Sequence, residues 1–284
     1  MEPANQECPS TLIKVSNLVC SFGSRKVLRG VDLEVFAGET MVVMGPSGCG
    51  KSTLLRNIIG SAQPDSGQIE LFGQDVTRLD EGQMDALRLR FGILFQSGAL
   101  LNSMTIGQNV ALPLREHTTL DEETIEIMVH IKLELVGLRQ SVDLMPAQLS
   151  GGMKKRAGLA RAIALDPEIL FYDEPTAGLD PVTSAEIDHL MMDLAQKLGV
   201  TSVIVTHEMD SAFRVADRMA LLDGGRVVKA GTRAQFEAIR DAKANGEHDN
   251  DLIRQFLCGD HKGPITDRRM GEEYEEDILR LGGA

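Results

Sequence analysis

Thr40–Met44 is a strand-length apolar run that stops on Gly45-Pro46-Ser47-Gly48-Cys49-Gly50-Lys51-Ser52. From Thr53 to Ile59 the apolar residues then take helical spacing. This strand–loop–helix order constrains the fold more than any other feature of the sequence. The loop fits G-x-x-x-x-G-K-[ST], a spacing suited to a phosphate chain. Its glycines permit the φ angles and the close backbone approach that amide–phosphate contacts need. The helix that follows points its positive end at the same place. Lys51 adds a point charge for the β and γ phosphates, and Ser52 a hydroxyl for Mg2+. Gly45 to Ser52, with Thr53 on the first helical turn, are the expected nucleotide contacts. The alternative is a glycine-rich turn with an incidental Lys, which leaves the flanking strand and helix as coincidences.

The rest of the pattern extends this unit into an α/β fold. Strands are expected at Leu12–Val19, Val31–Phe36, Ile69–Phe72, Gly92–Phe95, Ile169–Tyr172, Ser202–Thr206 and Met219–Leu222. Helical stretches alternate with several of them, as in a largely parallel sheet covered on its faces. A helix is expected at Val182–Leu198, with Ile187, Leu190, Met191, Leu194 and Leu198 as core. Residues 97–165 hold no convincing strand and are expected to form a helical subdomain. There Thr119-Leu120-Asp121-Glu122 has the capping-box pattern. After it, Ile127, Met128, Ile131 and Leu135 share a helical face read as core.

Composition narrows the function classes. A formal net charge of −13, 4% aromatic residues and no Trp disfavour a broad nucleic-acid surface. No apolar run approaches the roughly 20 residues of a membrane-spanning helix. Met1–Ser10 has neither the basic nor the apolar region of a signal peptide. Cys8, Cys20, Cys49 and Cys258 show no CxxC spacing, so a reducing compartment fits better than a disulfide framework or zinc site. Residues 247–284 hold ten acidic and five basic residues. The expected division is therefore one domain over 12–246 and an acidic C-terminal extension over 247–284. Asp251–Leu257 has the pattern of a short helix. Phe256, Tyr274 and Leu279 are the extension's apolar anchors for docking on another surface; a solvated tail is the alternative.

Two more motifs bear on chemistry. The run Ile169–Tyr172 delivers Asp173-Glu174 at the end of a buried strand. Asp173 there would bind Mg2+ through water, and Glu174 would polarise an attacking water as general base. Leu149-Ser150-Gly151-Gly152-Met153 starts a helix whose first amides no side chain obstructs, a second anion-binding end. The following Lys154-Lys155-Arg156 reads as a solvated basic face.

Joined by Gly178-Leu179-Asp180 and Val205-Thr206-His207, these motifs resemble in order and spacing the ATP-binding-cassette (ABC) ATPases, over about residues 12–240. The resemblance implies a P-loop NTPase with a RecA-like core, a β-subdomain and a helical signature subdomain, working on ATP with Mg2+. It implies that Phe22 stacks on adenine and that Gln96 contacts Mg2+ or water. It further implies that Asp180 communicates across a dimer and that His207 senses the γ-phosphate. His117, His130, His189, His248 and His261 are read as structural. The implied assembly is a head-to-tail homodimer in which Ser150, Gly151 and Gly152 close on the partner's ATP. Met153 stands where the family has Gln. Cys49, inside the phosphate loop, carries the expectation that alkylation blocks ATP entry.

Within the family, Phe95-Gln96-Ser97-Gly98-Ala99-Leu100-Leu101, Pro113-Leu114-Arg115-Glu116-His117-Thr118 and Met153 are similar to the ATPase subunits of maintenance-of-lipid-asymmetry (Mla) transporters. That implies a peripheral subunit on the cytoplasmic face of the bacterial inner membrane, energising phospholipid movement between inner and outer membranes. Implied partners are integral permease subunits and a periplasmic lipid-binding protein, with a small regulatory subunit left open. In that group a C-terminal extension can reach across the ATPase dimer. Amino-acid or other solute importers and lipoprotein or peptide exporters carry the same motifs. Non-transport ABC classes fit less well, because neither a coiled-coil insertion nor a second cassette is present. A P-loop kinase would lack the signature motif.

Overall fold

The computed structural model describes residues 10–242 and 247–267. The chain begins with β1 (Thr11–Phe22), β2 (Arg25–Phe36), β3 (Thr40–Met44), α1 (Lys51–Ile58), β4 (Ser66–Leu71), β5 (Gln74–Asp75), α2 (Glu81–Arg88) and β6 (Phe91–Leu94). Helices follow: α3 (Ile106–His117), α4 (Glu122–Leu135) and α5 (Gly151–Ala162). Then come β7 (Ile169–Asp173), α6 (Pro181–Leu198), β8 (Thr201–Thr206), α7 (Met209–Val215), β9 (Arg218–Asp223), β10 (Arg226–Thr232), α8 (Arg233–Asp241) and α9 (His248–Cys258).

The central sheet has the order β10-β9-β3-β8-β7-β6. Its inner strands are parallel, with Val42 level with Ile204 on one side and Met219 on the other. A strand buried on both faces sends alternate side chains to different cores. Met41 and Val43 of β3, Ile169 and Phe171 of β7, and Val203 and Val205 of β8 enter one core. That core is closed by α1, α2 and the antiparallel sheet β2-β1-β4-β5. Val42, Met44, Leu170, Tyr172 and Ile204 enter the other, beneath α3 to α9. A one-residue slip of β3 would swap Met and Val between two cores each packed for the other set, and would break the ladders to β8 and β9 on both sides. The phosphate loop thus leaves a strand whose register is firmly held.

Ile187, Met191 and Leu194 of α6 are buried, with Leu190 and Leu198 packed beside them, as their spacing predicts. Gly199, at φ 65°, ends the helix in the left-handed conformation that glycine tolerates. β10 was not foreseen. Its signal is Gly224-Gly225, both at positive φ, which turns β9 back into an antiparallel hairpin.

The reading of α4 needs two corrections. Its cap is Asp121, which accepts from the Thr124 amide at 2.8 Å, so Thr119 is not the start of a capping box. An Asp at the cap, followed by Glu122 and Glu123 in the first turn, also suits the helix dipole. The buried row is Ile125, Val129 and Leu133, whereas Ile127 and Ile131 are 56% and 52% exposed. Both rows are apolar at i,i+4 spacing, so periodicity alone does not choose between them; packing against α3 and α5 does.

The composition shift at residue 247 is not the edge of the packed structure. Leu252, Ile253, Leu257 and Ile265 are buried in the helical core, and Phe256 packs on the same core. Gln255 locks the turn that follows: its amide donates to the Asp260 carbonyl and Thr266 Oγ1 and accepts from the Ile265 amide. Phe256 is therefore engaged, in part, by its own chain. Tyr274 and Leu279 lie outside the described residues. A truncation at residue 246 would uncover core, so a test of the extension belongs after Asp267.

Candidate functional site

The C-terminal ends of β3, β7 and β8 converge, as open α/β sheets require of a ligand site. Met44 pairs with Thr206, and Asp173 with Val205. The glycine loop therefore emerges beside Asp173-Glu174 and His207. At Gly45, φ 154°, an added Cβ would lie 2.0 Å from the Leu222 carbonyl oxygen, so only glycine lets the loop turn against β9. Gly50, at φ 112°, precedes α1 and leaves the first amides of that helix free of any capping side chain.

Lys51 is 7% exposed, and its ammonium donates to the carbonyls of Gly45 at 2.8 Å and Pro46 at 3.2 Å. Carbonyls solvate this charge without neutralising it, so the loop is matched to an anion. Ser52 Oγ donates to Asp173 Oδ1 at 3.3 Å. Burial pushes the Asp173 carboxyl up, against the Ser52 bond. A hydroxyl and a half-buried carboxylate beside a polyphosphate cradle form a hard oxygen donor set, which fits Mg2+.

Glu174 has a left-handed backbone, φ 50°. Its amide donates to the Val205 carbonyl at 2.9 Å. Its carboxylate meets His207 twice: Oε1 lies 2.9 Å from ring Nδ1, and Oε2 accepts from the His207 amide at 3.3 Å. The fold thus brings Lys51, Ser52, Asp173, Glu174 and His207 to one end of the sheet.

The other expected residues come from other elements. Phe22, at the end of β1, is 54% exposed, and Gln96 is exposed just past β6. Ser150 caps α5 through the Met153 amide at 3.2 Å. Gly151 follows it at the surface. Gly152 is buried, and a Cβ there would lie 2.6 Å from Thr183 Cγ2, so the start of α5 seats on the first turn of α6. Asp180 caps α6, accepting from the amides of Val182 and Thr183 and from Thr183 Oγ1. Those bonds, the Thr183 hydroxyl foremost, hold its carboxyl below the usual range.

Two expectations are not met. Lys154-Lys155-Arg156 is not a solvated face: Lys155 is 5% exposed and donates to the Glu174 carbonyl at 3.0 Å. Arg156 donates to the Val136 carbonyl and to Glu186. Nothing in a run of basic residues marks which one turns inward. Cys49 is also buried, and burial pushes its thiol up against the pull of Lys51. The thiolate is the reactive form, so alkylation there is disfavoured. N-ethylmaleimide at neutral pH should label Cys258, which is exposed, well before Cys20 or Cys49, which are buried. Peptide mapping checks this, and early labelling of Cys49 would restore it as a block to ATP entry.

A glycine loop at the end of a parallel strand, an Asp-Glu pair on the neighbouring strand and a glycine-started helix define the class: a P-loop ATPase of the cassette type. The ABC transporter family model matches residues 28–177, and the chain belongs to that family. It binds nucleotide and hydrolyses ATP. Over 268 residues it is 40% identical to the intermembrane phospholipid transport system ATP-binding protein MlaF of Haemophilus influenzae, covering 94% of this chain and 98% of that one. Against MlaF of Escherichia coli K12 the identity is 38% over 274 residues, covering 96% and 98%. A probable ribonucleotide transport ATP-binding protein, mkl, of Mycobacterium leprae is 42% identical over 267 residues, covering 94% of this chain and 74% of that one. Among solved structures, a dimeric ATP-binding cassette in a post-hydrolysis state with ADP and Pi superposes with TM-score 0.72 at 30% identity, over 78% and 98% of the two chains. The cassette cbiO1 of Clostridium perfringens, part of an ABC transporter complex, gives 0.74 at 30% identity, over 86% and 98%. Among the described residues no helix is long and apolar enough to cross a membrane.

Proposed function

We propose that the chain is the ATP-hydrolysing subunit of an Mla-type phospholipid transporter of bacteria, seated on the cytoplasmic face of the inner membrane. The observation that carries this reading is the match along nearly the whole length of both MlaF relatives, 98% of each. The mkl relative supports a second cargo, ribonucleotides, at 42% identity but over only 74% of its length.

In this reading two copies bind head to tail, with Ser150, Gly151 and Gly152 of each closing on the other's ATP. The loop amides from Gly45 to Thr53 and the Lys51 ammonium hold the phosphates, and Phe22 stacks on adenine. Ser52, Asp173 and Gln96 would hold Mg2+, which would supply charge neutralisation for the phosphates. Glu174 takes the proton of the attacking water, and His207 orients the Glu174 carboxylate through Nδ1 and contacts the γ-phosphate. Asp180 faces the dimer boundary. Permease subunits and a periplasmic lipid-binding protein supply the membrane path.

Purification of the tagged full-length chain from its own membranes tests this. Co-purified permease subunits, bound phospholipid and ATPase activity raised by phospholipid are expected. A complex without phospholipid, whose ATPase responds to ribonucleotides or amino acids, would replace the proposed cargo.

A further inference from the structure

Glu174 sits where a non-glycine residue is strained. A left-handed backbone is costly for such a residue and persists only where its surroundings hold it. The Val205 carbonyl holds the amide side of this residue at 2.9 Å. On the carbonyl side, the Ala177 amide donates at 3.3 Å and Lys155 Nζ at 3.0 Å. Lys155 reaches across from α5, a helix otherwise joined to this core by Ala157, Leu159 and Ala160. An apolar residue would fill that space at less cost than a buried ammonium. Burial pushes the Lys155 ammonium down, and the carboxylates of Glu174, Glu208 and Asp173 only partly oppose it.

We propose that Lys155 is a positioning residue for hydrolysis. It fixes the Glu174 peptide, and with it the angle at which the carboxylate meets His207 and the attacking water. Because Lys155 lies five residues beyond Ser150, about 7.5 Å along the helix, it also ties Glu174 to the end of α5 that closes on the partner's nucleotide. Each copy's base then follows the nucleotide held by its neighbour. The proposal rests on Glu174 being the base.

The test compares the full-length chain with Lys155→Met, Lys155→Gln and Glu174→Gln in steady-state hydrolysis of Mg-ATP. Losing a hydrogen bond from a charged donor corresponds to a fall in kcat of about tenfold or more. Lys155→Met should show that fall with KM within about twofold, since the phosphate loop is untouched. Lys155→Gln, a neutral donor to the same carbonyl, should recover most of it, which a packing defect would not allow. If Lys155→Met does not fold, Lys155→Ala takes its place with the same expectation. Wild-type kcat in the variant lacking a donor, or a Gln variant no better than it, overturns the proposal. Glu174→Gln separates the two ideas. Wild-type turnover there removes the base assignment. A dead Glu174→Gln beside an unimpaired Lys155→Met removes only the role of Lys155.

Discussion

Glu174→Gln should stop turnover while leaving ATP bound. The substitution keeps the size of the side chain and a donor–acceptor pair for His207, which lies 2.9 Å from Oε1 and donates its amide to Oε2. It removes only the ability to take a proton. General-base catalysis contributes about 10²–10⁴ in rate, and a fall of that order is expected. In the proposed arrangement the phosphate contacts come from other residues, Lys51 and the loop glycines, so affinity for ATP should persist. A species of twice the protomer mass, stable with Mg-ATP and dispersed by EDTA, is the expected result in size-exclusion chromatography. Hydrolysis at the wild-type rate would end the assignment of Glu174 as base.

The second large effect lies away from the phosphate loop. Asp188 on α6 has no exposed surface and accepts from Ser211 Oγ at 2.5 Å and from the Arg214 guanidinium on α7. Burial pushes its carboxyl up, and those two donors oppose the shift. Arg214→Met removes the cation but keeps most of the stem, leaving a buried carboxylate without its counter-charge. A fully buried pair broken this way costs about 3–5 kcal/mol. The Arg214 side chain is 35% exposed, which screens the pair to about 2 kcal/mol, so the thermal midpoint should fall by roughly 5 °C for a chain of this size. The sign with pH follows from the proton balance. A carboxyl with a raised folded-state pKa binds its proton more readily in the native chain, so the deficit should shrink as pH falls through that value. Scanning calorimetry across pH checks both statements. A midpoint within about 2 °C of wild type at neutral pH would mean that Ser211 alone suffices.

What could be read from residues and what could not separate along one physical line. β3 and its loop were legible because glycine spacing, a buried apolar run and a helical pattern are local properties, and all three agree at residues 40–59. Ile187, Met191 and Leu194 were legible because the i, i+4, i+7 row they form is the longest apolar row on α6, although Val182 and Met192 lie exposed off it. On α4 two apolar rows compete, and the choice belongs to its neighbours, so Ile127 and Ile131 were placed inside although they are exposed. Lys155 failed for a related reason. Its burial depends on the Glu174 carbonyl 19 residues away, and no local pattern encodes that. The start of the acidic segment misled because charge counts average over a helix, whereas Leu252, Ile253 and Leu257 occupy a single side of it.

The cap on α6 limits how its leading loop can signal. Asp180 accepts from three donors, all within the first turn of that helix. A carboxylate so engaged does not swing to a new partner without uncapping eighteen residues of helix. A push on this loop is therefore transmitted as displacement of a stiff rod about 27 Å long, not as a side-chain flip. Asp188 fastens that rod to α7, the helix that follows His207. The loop, the rod and the helix behind the histidine are thus joined into one hydrogen-bonded unit.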